Sequence, residues 1–155
     1  MRILVAYDGS PSSEAAIDEV LMRPWPTGTR VRLVTVIAPQ YSAEESGVAD
    51  FALPLACWRA SLREKAYARL QRALLRFRRR PDLEADYELR EGSVVSALLC
   101  AIRESEADLV IGGSRGPSAS ANDPLGSVSD ALLNFAPCNV EIVREPRRLN
   151  DPAVA

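Results

Sequence analysis

The sequence predicts an α/β protein built on a single open five-stranded parallel sheet with helices on both faces. Three observations carry that expectation. Short, nearly continuous apolar runs at residues 2–7 (RILVAY) and 108–112 (DLVIG) have the pattern of strands buried on both faces. Helical periodicity fills stretches between strand-like segments, and is longest at residues 55–80. The two signals alternate along the whole chain, which calls for parallel strands joined by right-handed crossovers.

The first run stops at Asp8, Gly9, Ser10 and Pro11, a turn cluster that can also cap a helix. Ser12 or Ser13 is the expected N-cap. Ala15, Ala16, Val20 and Leu21 then follow at helical spacing until Pro24 and Pro26 end the pattern. Residues 31–37 (VRLVTVI) are rich in β-branched side chains and predict a second strand. Residues 39–53 lack clear periodicity and are expected to form a long connection. Within residues 55–80, Leu55, Trp58, Leu62, Ala66, Leu70, Ala73, Leu74 and Phe77 make one apolar stripe, which Pro81 stops. Residues 84–90 alternate, with Tyr87 and Leu89 on one face and Asp86, Glu88 and Arg90 on the other, as in a partly solvated strand near a sheet edge. Gly92 and Ser93 open a helix carrying Val94, Ala97, Leu98 and Ile102. A helix at residues 127–135 and a last strand at 140–143 complete the order. One domain is expected over residues 1–146, with 147–155 a loose tail.

A chain of 155 residues can bury a core without metal or disulfide staples. Its formal net charge of -2 gives no bulk attraction to nucleic acid or anionic membranes. No apolar run approaches the ~20 residues of a membrane span. Met1 leads into a strand-like segment rather than a signal peptide, so a cytoplasmic location is expected. Cys57, Cys100 and Cys138 are scattered and apolar-flanked, and are expected to be small buried hydrophobes in a reducing compartment. The chain has no histidine, which excludes Ser-His-Asp and Cys-His catalysis. Lys65 is the only lysine, which argues against a Schiff-base or phosphate-loop lysine.

In an open parallel sheet, ligands bind beyond the carboxyl ends of strands where the winding reverses. The first strand ends in Asp8, Gly9 and Ser10, and the fourth in Gly112, Gly113, Ser114, Arg115 and Gly116. If these strands are neighbours, both loops face one crevice. The second loop reads Gly113-x2-Gly116, then nine residues, then Gly126, Ser127, Val128 and Ser129 at the mouth of a helix. Glycines let backbone approach a phosphate, and free N–H groups at a helix start favour an anion. Ser127 and Ser129 add hydroxyls, and Arg115 can pair with phosphate oxygens. On spacing alone, glycines that merely turn the chain and start a helix fit equally well.

Residues 107–144, ADLVIGGSRG…LGSVSDALLNFAPCNVEIVR, closely resemble the C-terminal signature of universal stress proteins. The Gly-x2-Gly-x9-Gly-Ser/Thr spacing resembles that of the ATP-binding branch, and ILVAYDGSPSSEAA is similar to the family's first strand and turn. The resemblance implies a stress-response or signalling protein with strand order 3-2-1-4-5. It implies an adenine nucleotide, ATP or AMP/ADP, across the first and fourth strands, with Mg²⁺ accompanying ATP. The site it implies runs through Gly113, Gly116, Gly126 and Ser127. Phosphate contacts would come from backbone amides of Gly116, Ser127 and Val128, with Arg115 and Ser129 nearby. Asp8 would face the ribose or a metal-bound phosphate. Ala6 and Val36 would border adenine, Val36 through its backbone. A homodimer through Val140, Glu141, Ile142 and Val143 is also implied.

Three departures from the family pattern matter. The insert PSASANDPL carries Asp123 and no basic residue, which is unfavourable beside a triphosphate unless Mg²⁺ intervenes. Thr35 stands where many relatives have histidine. Glu141 interrupts a strand that relatives often keep apolar; it either protects an edge or disturbs dimer pairing.

Two other functions fit parts of the sequence. A slow Mg²⁺-dependent ATP hydrolase would rest on Asp8 and water positioning. An interaction protein would use the basic second helix, where residues 59–80 hold nine Lys/Arg against Glu64, to contact nucleic acid or another anion. A solvated helix face whose last arginines complement the helix dipole is the favoured account of that charge, so no nucleic-acid or membrane partner is expected.

Overall fold

The computed structural model describes residues 1–38, 55–116 and 125–145. Its elements run β1 (Arg2–Ala6), α1 (Pro11–Met22), β2 (Thr29–Ile37), α2 (Leu55–Phe77) and β3 (Leu83–Glu91). They continue as α3 (Val94–Glu104), β4 (Leu109–Gly113), α4 (Ser127–Phe135) and β5 (Asn139–Val143). The five strands form one parallel sheet in the order β3-β2-β1-β4-β5. The expected connection at 39–53 and tail at 147–155 lie outside the described residues.

Alternation of side chains along the strands builds a core on each face. Ile3, Val5 and Tyr7 of the first strand and its end meet Val31, Leu33, Ile111 and the apolar sides of α1 and α2. Leu4, Val34 and Val110 point the other way, onto Leu98, Ala101 and Ile102 of α3 and Leu132 of α4. Leu4 and Val5 are both 0% exposed, so β1 is covered on both faces, as its unbroken apolar run requires. Each such aliphatic side chain contributes roughly 1.5–3 kcal/mol on full burial. The edge strand β3 shows the expected alternation: Ala85, Tyr87 and Leu89 pack on the core while Glu84 and Asp86 pair with Arg30 and Arg32 at 3.0 and 2.7 Å on the other side.

The start of α1 corrects the sequence reading. Ser10, not Ser12 or Ser13, is its N-cap, accepting the Ser13 N–H on Oγ at 3.2 Å. Pro11 takes the first helical position, where its missing N–H costs nothing. Ser12 and Ser13 lie inside the helix and are buried.

The cysteine expectation is also corrected, since Cys57 and Cys100 are exposed and Cys138 is half-buried. The apolar flanks misled because a helix turns successive residues to different faces. The Cys100 thiol looks outward to Glu104 Oε1 at 3.4 Å, while its neighbour Ala101 is in the core.

Helix α2 ends at Phe77, three residues short of the expected stop. Arg78 and Arg79 donate to Leu75 and Arg76 carbonyls in a tightened last turn, because Pro81 disfavours helical backbone at Arg80. Part of the positive charge of residues 59–80 is answered within the chain. Arg63 pairs with Glu91, Arg76 with Glu14 and Asp18, and Arg80 with Asp82. No helix among the described residues is long and apolar enough to cross a membrane.

Candidate functional site

The winding reverses between β1 and β4, whose ladder runs from Ile3↔Leu109 to Ala6↔Gly112. Both strands then enter loops at the same end of the sheet, and the loops touch. Ser10 Oγ donates to the Arg115 carbonyl at 3.3 Å. Asp8 Oδ1 accepts the Ser10 N–H at 2.8 Å, and its Oδ2 lies 3.2 Å from where a Cβ on Gly116 would stand. Asp8 and Gly116 are thus brought together.

Gly126 joins them from the third side. Its N–H donates to the Ser114 carbonyl at 2.8 Å, and a Cβ there would sit 3.5 Å from Arg115 Cα and 3.6 Å from Gly116 N. Gly126 is the N-cap of α4 and has no side chain to cap it, whereas α1 is capped by Ser10. The first turn of α4, with Ser127, Val128 and Ser129, therefore presents amides and the positive end of the helix dipole at the crevice. Arg115 lies on the same loop and has an interaction of its own.

Gly113 and Ser129 sit deeper than the sequence suggests. A Cβ on Gly113 would come within 2.6 Å of Ser12 backbone carbon and 2.7 Å of Ser13 N, so glycine is required for α1 to lie on β4. Ser129 is buried, and its hydroxyl donates to the Gly113 carbonyl at 2.7 Å. Together they lock α1, β4 and α4.

Ala6 and Val36 are half-buried against the α3/α4 core. Strand β2 runs three residues past its last pairing with β1, Ala6↔Val34, so Thr35, Val36 and Ile37 border the crevice beyond the end of β1. Thr35 donates its hydroxyl to the Tyr7 carbonyl at 2.6 Å, which closes the gap where β1 stops.

Sequence reasoning did not anticipate the support behind Asp8. The Tyr7 hydroxyl donates to Glu14 Oε1 at 2.5 Å, and Arg76 Nη1 donates to the other carboxylate oxygen at 2.9 Å. Burial first, and then the Glu14 carboxylate, push the Tyr7 phenol well above its ordinary value, so it stays protonated. Arg69 Nη1 donates to the Asp8 carbonyl at 2.8 Å.

A second cleft, of about 530 Å³, opens at the amino ends of the strands between Arg2, Arg30, Arg32, Asp86 and Glu106. Its charges cancel in pairs, Arg2 with Glu106, Arg30 with Glu84 and Arg32 with Asp86. It also lies away from the point where the winding reverses.

The sequence profile of the universal stress protein family matches residues 1–144. The chain belongs to the universal stress protein family. Among solved structures it is similar to the hypothetical protein MJ0577, at 20% identity and a TM-score of 0.77, covering 95% of this chain and 97% of that one. It is similar to a universal stress protein family protein from Arabidopsis thaliana with AMP bound, at 16% identity and a TM-score of 0.65, covering 99% of each. A universal stress protein in complex with cAMP is 22% identical with a TM-score of 0.65, covering 94% of this chain and 98% of that one. These likenesses establish the fold that the topology describes. Among curated proteins, none matches the chain.

Proposed function

We propose that this protein binds an adenine nucleotide between the ends of β1 and β4 and serves as a nucleotide-dependent stress-response or signalling module in the cytoplasm. The observation that carries the reading is the convergence of Asp8, Gly116 and the first turn of α4, whose N-cap is the bare Gly126, on one crevice. Amides of Gly116, Ser127 and Val128 take the phosphates, aided by the helix dipole. Arg115 adds positive charge on the same loop. Asp8 meets the ribose or a phosphate-bound cation, and Ala6 and Val36 border the base. Gly113 and Ser129 hold the frame of this site, and Gly126 lets α4 begin close to the loop. The AMP-bound and cAMP-bound relatives favour the adenosine monophosphate unit as the part recognised.

Among the described residues, no group of three or more His, Cys, Asp or Glu side chains could hold a metal. One carboxylate, Asp8, fits Mg²⁺ only when phosphate oxygens complete its shell. When bound, Mg²⁺ would supply charge neutralisation between that carboxylate and the phosphates. Asp123, the other acid considered, lies outside the described residues.

A homodimer through β5 accompanies this reading, because an edge strand with free N–H and C=O groups is a template for pairing. The nucleic-acid alternative for the basic residues 59–80 is weakened by the internal partners of Arg63, Arg76 and Arg80.

Mass spectrometry of small molecules released from the purified, denatured protein tests the proposal. An adenine nucleotide is the expected species. Release of none, together with no thermal shift in added AMP or ATP, contradicts it.

A further inference from the structure

Arg69 stands on α2, the helix that covers β2 and β3, yet its side chain reaches the end of β1. Its Nη1 donates to the Asp8 carbonyl at 2.8 Å. Its stem lies so close over Gly9 that a Cβ there would stand 2.9 Å from Cδ and 3.2 Å from Nη1. Gly9 also has φ +80°, which glycine adopts without steric cost. The turn therefore favours glycine for its own backbone, and its bare Cα lets the arginine lie close against it.

The Asp8 residue is held on three sides. Arg69 fixes its carbonyl, Ser10 N–H fixes Oδ1, and Oδ2 is directed to the bare Cα of Gly116. Other arginines of α2 serve differently: Arg63 and Arg76 meet carboxylates of β3 and α1. Arg69 instead meets a backbone carbonyl at the crevice, and it is exposed. An exposed contact of this kind adds little to stability, so its main consequence is orientation.

We propose that Arg69 is a positioning residue of the nucleotide site, fixing the turn at Asp8 and Gly9 so that the Asp8 carboxylate faces the Gly116 backbone. This role rests on the nucleotide-binding reading above. It acts through Asp8 rather than on phosphate, so it serves AMP and ATP alike. Lysine at this position keeps one charged donor for the Asp8 carbonyl, whereas methionine keeps the stem and loses the donor.

Calorimetric titration of AMP and of Mg·ATP into wild type, Arg69→Met, Arg69→Lys, Asp8→Ala and the Arg69→Met/Asp8→Ala double variant tests the role. Losing a charged hydrogen bond that orders the site predicts about tenfold weaker binding of both nucleotides by Arg69→Met. Arg69→Lys should recover most of that loss. In the Asp8→Ala background, Arg69→Met should change nothing further, a coupling that a merely structural arginine does not produce. Melting of each variant without nucleotide confirms that the fold is intact. Wild-type binding with Arg69→Met unchanged, or an equal loss with and without the Asp8 carboxylate, overturns the role of Arg69 alone. No binding by wild type overturns the site itself, and this role with it.

Discussion

Arg23 and Glu141 form a two-pronged ion pair, with the arginine Nη1 and Nη2 atoms 2.8 and 2.7 Å from the two carboxylate oxygens. Arg23 ends α1 and Glu141 lies at the middle of β5, so the pair ties a helix to the sheet edge. Arg23 also pairs with Glu19 at 2.7 Å and lies 5.8 Å over the Trp25 ring. The acid in the edge strand is therefore neutralised within its own chain, a partner that neither sequence-level account of Glu141 supplied.

A first prediction concerns assembly. With Glu141 answered by Arg23, β5 can pair about a two-fold axis without bringing two bare carboxylates together. Arg23→Met should weaken the dimer, because like charges facing each other across strands are destabilising. Adding Glu141→Gln should restore it. Light scattering reads both, and Val140→Pro, which removes a ladder donor, is the negative control. A wild-type mass equal to one chain at micromolar concentration contradicts the dimer.

A second prediction separates packing from binding among the loop glycines. Gly113→Ala forces a Cβ to within 2.6 Å of Ser12 backbone, so α1 must shift. Overpacking of this sort costs about 1–3 kcal/mol, seen as a lower melting temperature without any nucleotide. Among the described residues, Gly116→Ala meets only Asp8 Oδ2 at 3.2 Å, the far end of a side chain, and should leave unliganded stability nearly unchanged. Equal thermal losses for the two variants would refute the distinction.

Much of the fold was legible because it rests on local signals. Residues 3–7 and 109–111 are unbroken apolar runs because β1 and β4 occupy the covered middle of the sheet. The alternation at Tyr87 and Leu89 gave the edge strand, since one face of β3 is wet. The convergence of Asp8 with Gly116 followed from strand order rather than spacing. What escaped depends on distant partners: Arg23 and Glu141 are 118 residues apart, and Arg69 and Asp8 are 61 apart. The packing demand at Gly113 escaped too, because nothing nearby in sequence reveals that α1 lies on it. The N-cap at Ser10 was legible in principle, and Pro11 was its sign.

A third prediction concerns acid. Hydrogen bonds from Arg63 and Arg90 hold the Glu91 and Glu104 carboxyls below their ordinary values, and Arg80 does the same for Asp82. A depressed folded value means the unfolded chain binds protons more readily. The stabilisation is present above the unfolded value, about 4.3 for Glu, and is lost as pH falls through the lower folded one. All three groups are exposed, so the effect is modest and screened by salt. Urea midpoints from about pH 5 to pH 2 should decline less steeply in Arg90→Met than in wild type. An identical decline would show that these pairs do not titrate with folding.

A fourth prediction is that ATP binding depends strongly on Mg²⁺. Asp8 Oδ2 lies beside Gly116, and residues 117–125 contain Asp123 and no basic side chain. A triphosphate entering there meets negative charge that a cation must offset. Titration in Mg²⁺ and in EDTA should show much tighter ATP binding with the metal, and a smaller difference for AMP. Equal ATP affinity in EDTA would rule this out.

The crevice at Asp8, Gly116 and the start of α4 is expected to hold an adenine nucleotide. Thermal melting of wild type and Gly116→Val with AMP or Mg·ATP tests it most directly. Ligand at 100 times its dissociation constant should stabilise wild type by about 2.7 kcal/mol. Gly116→Val should fold but gain nothing, because its side chain fills the space where phosphate meets backbone. A wild-type protein that melts identically with and without nucleotide at millimolar concentration would contradict the account, as would a Gly116→Val variant stabilised as much as wild type.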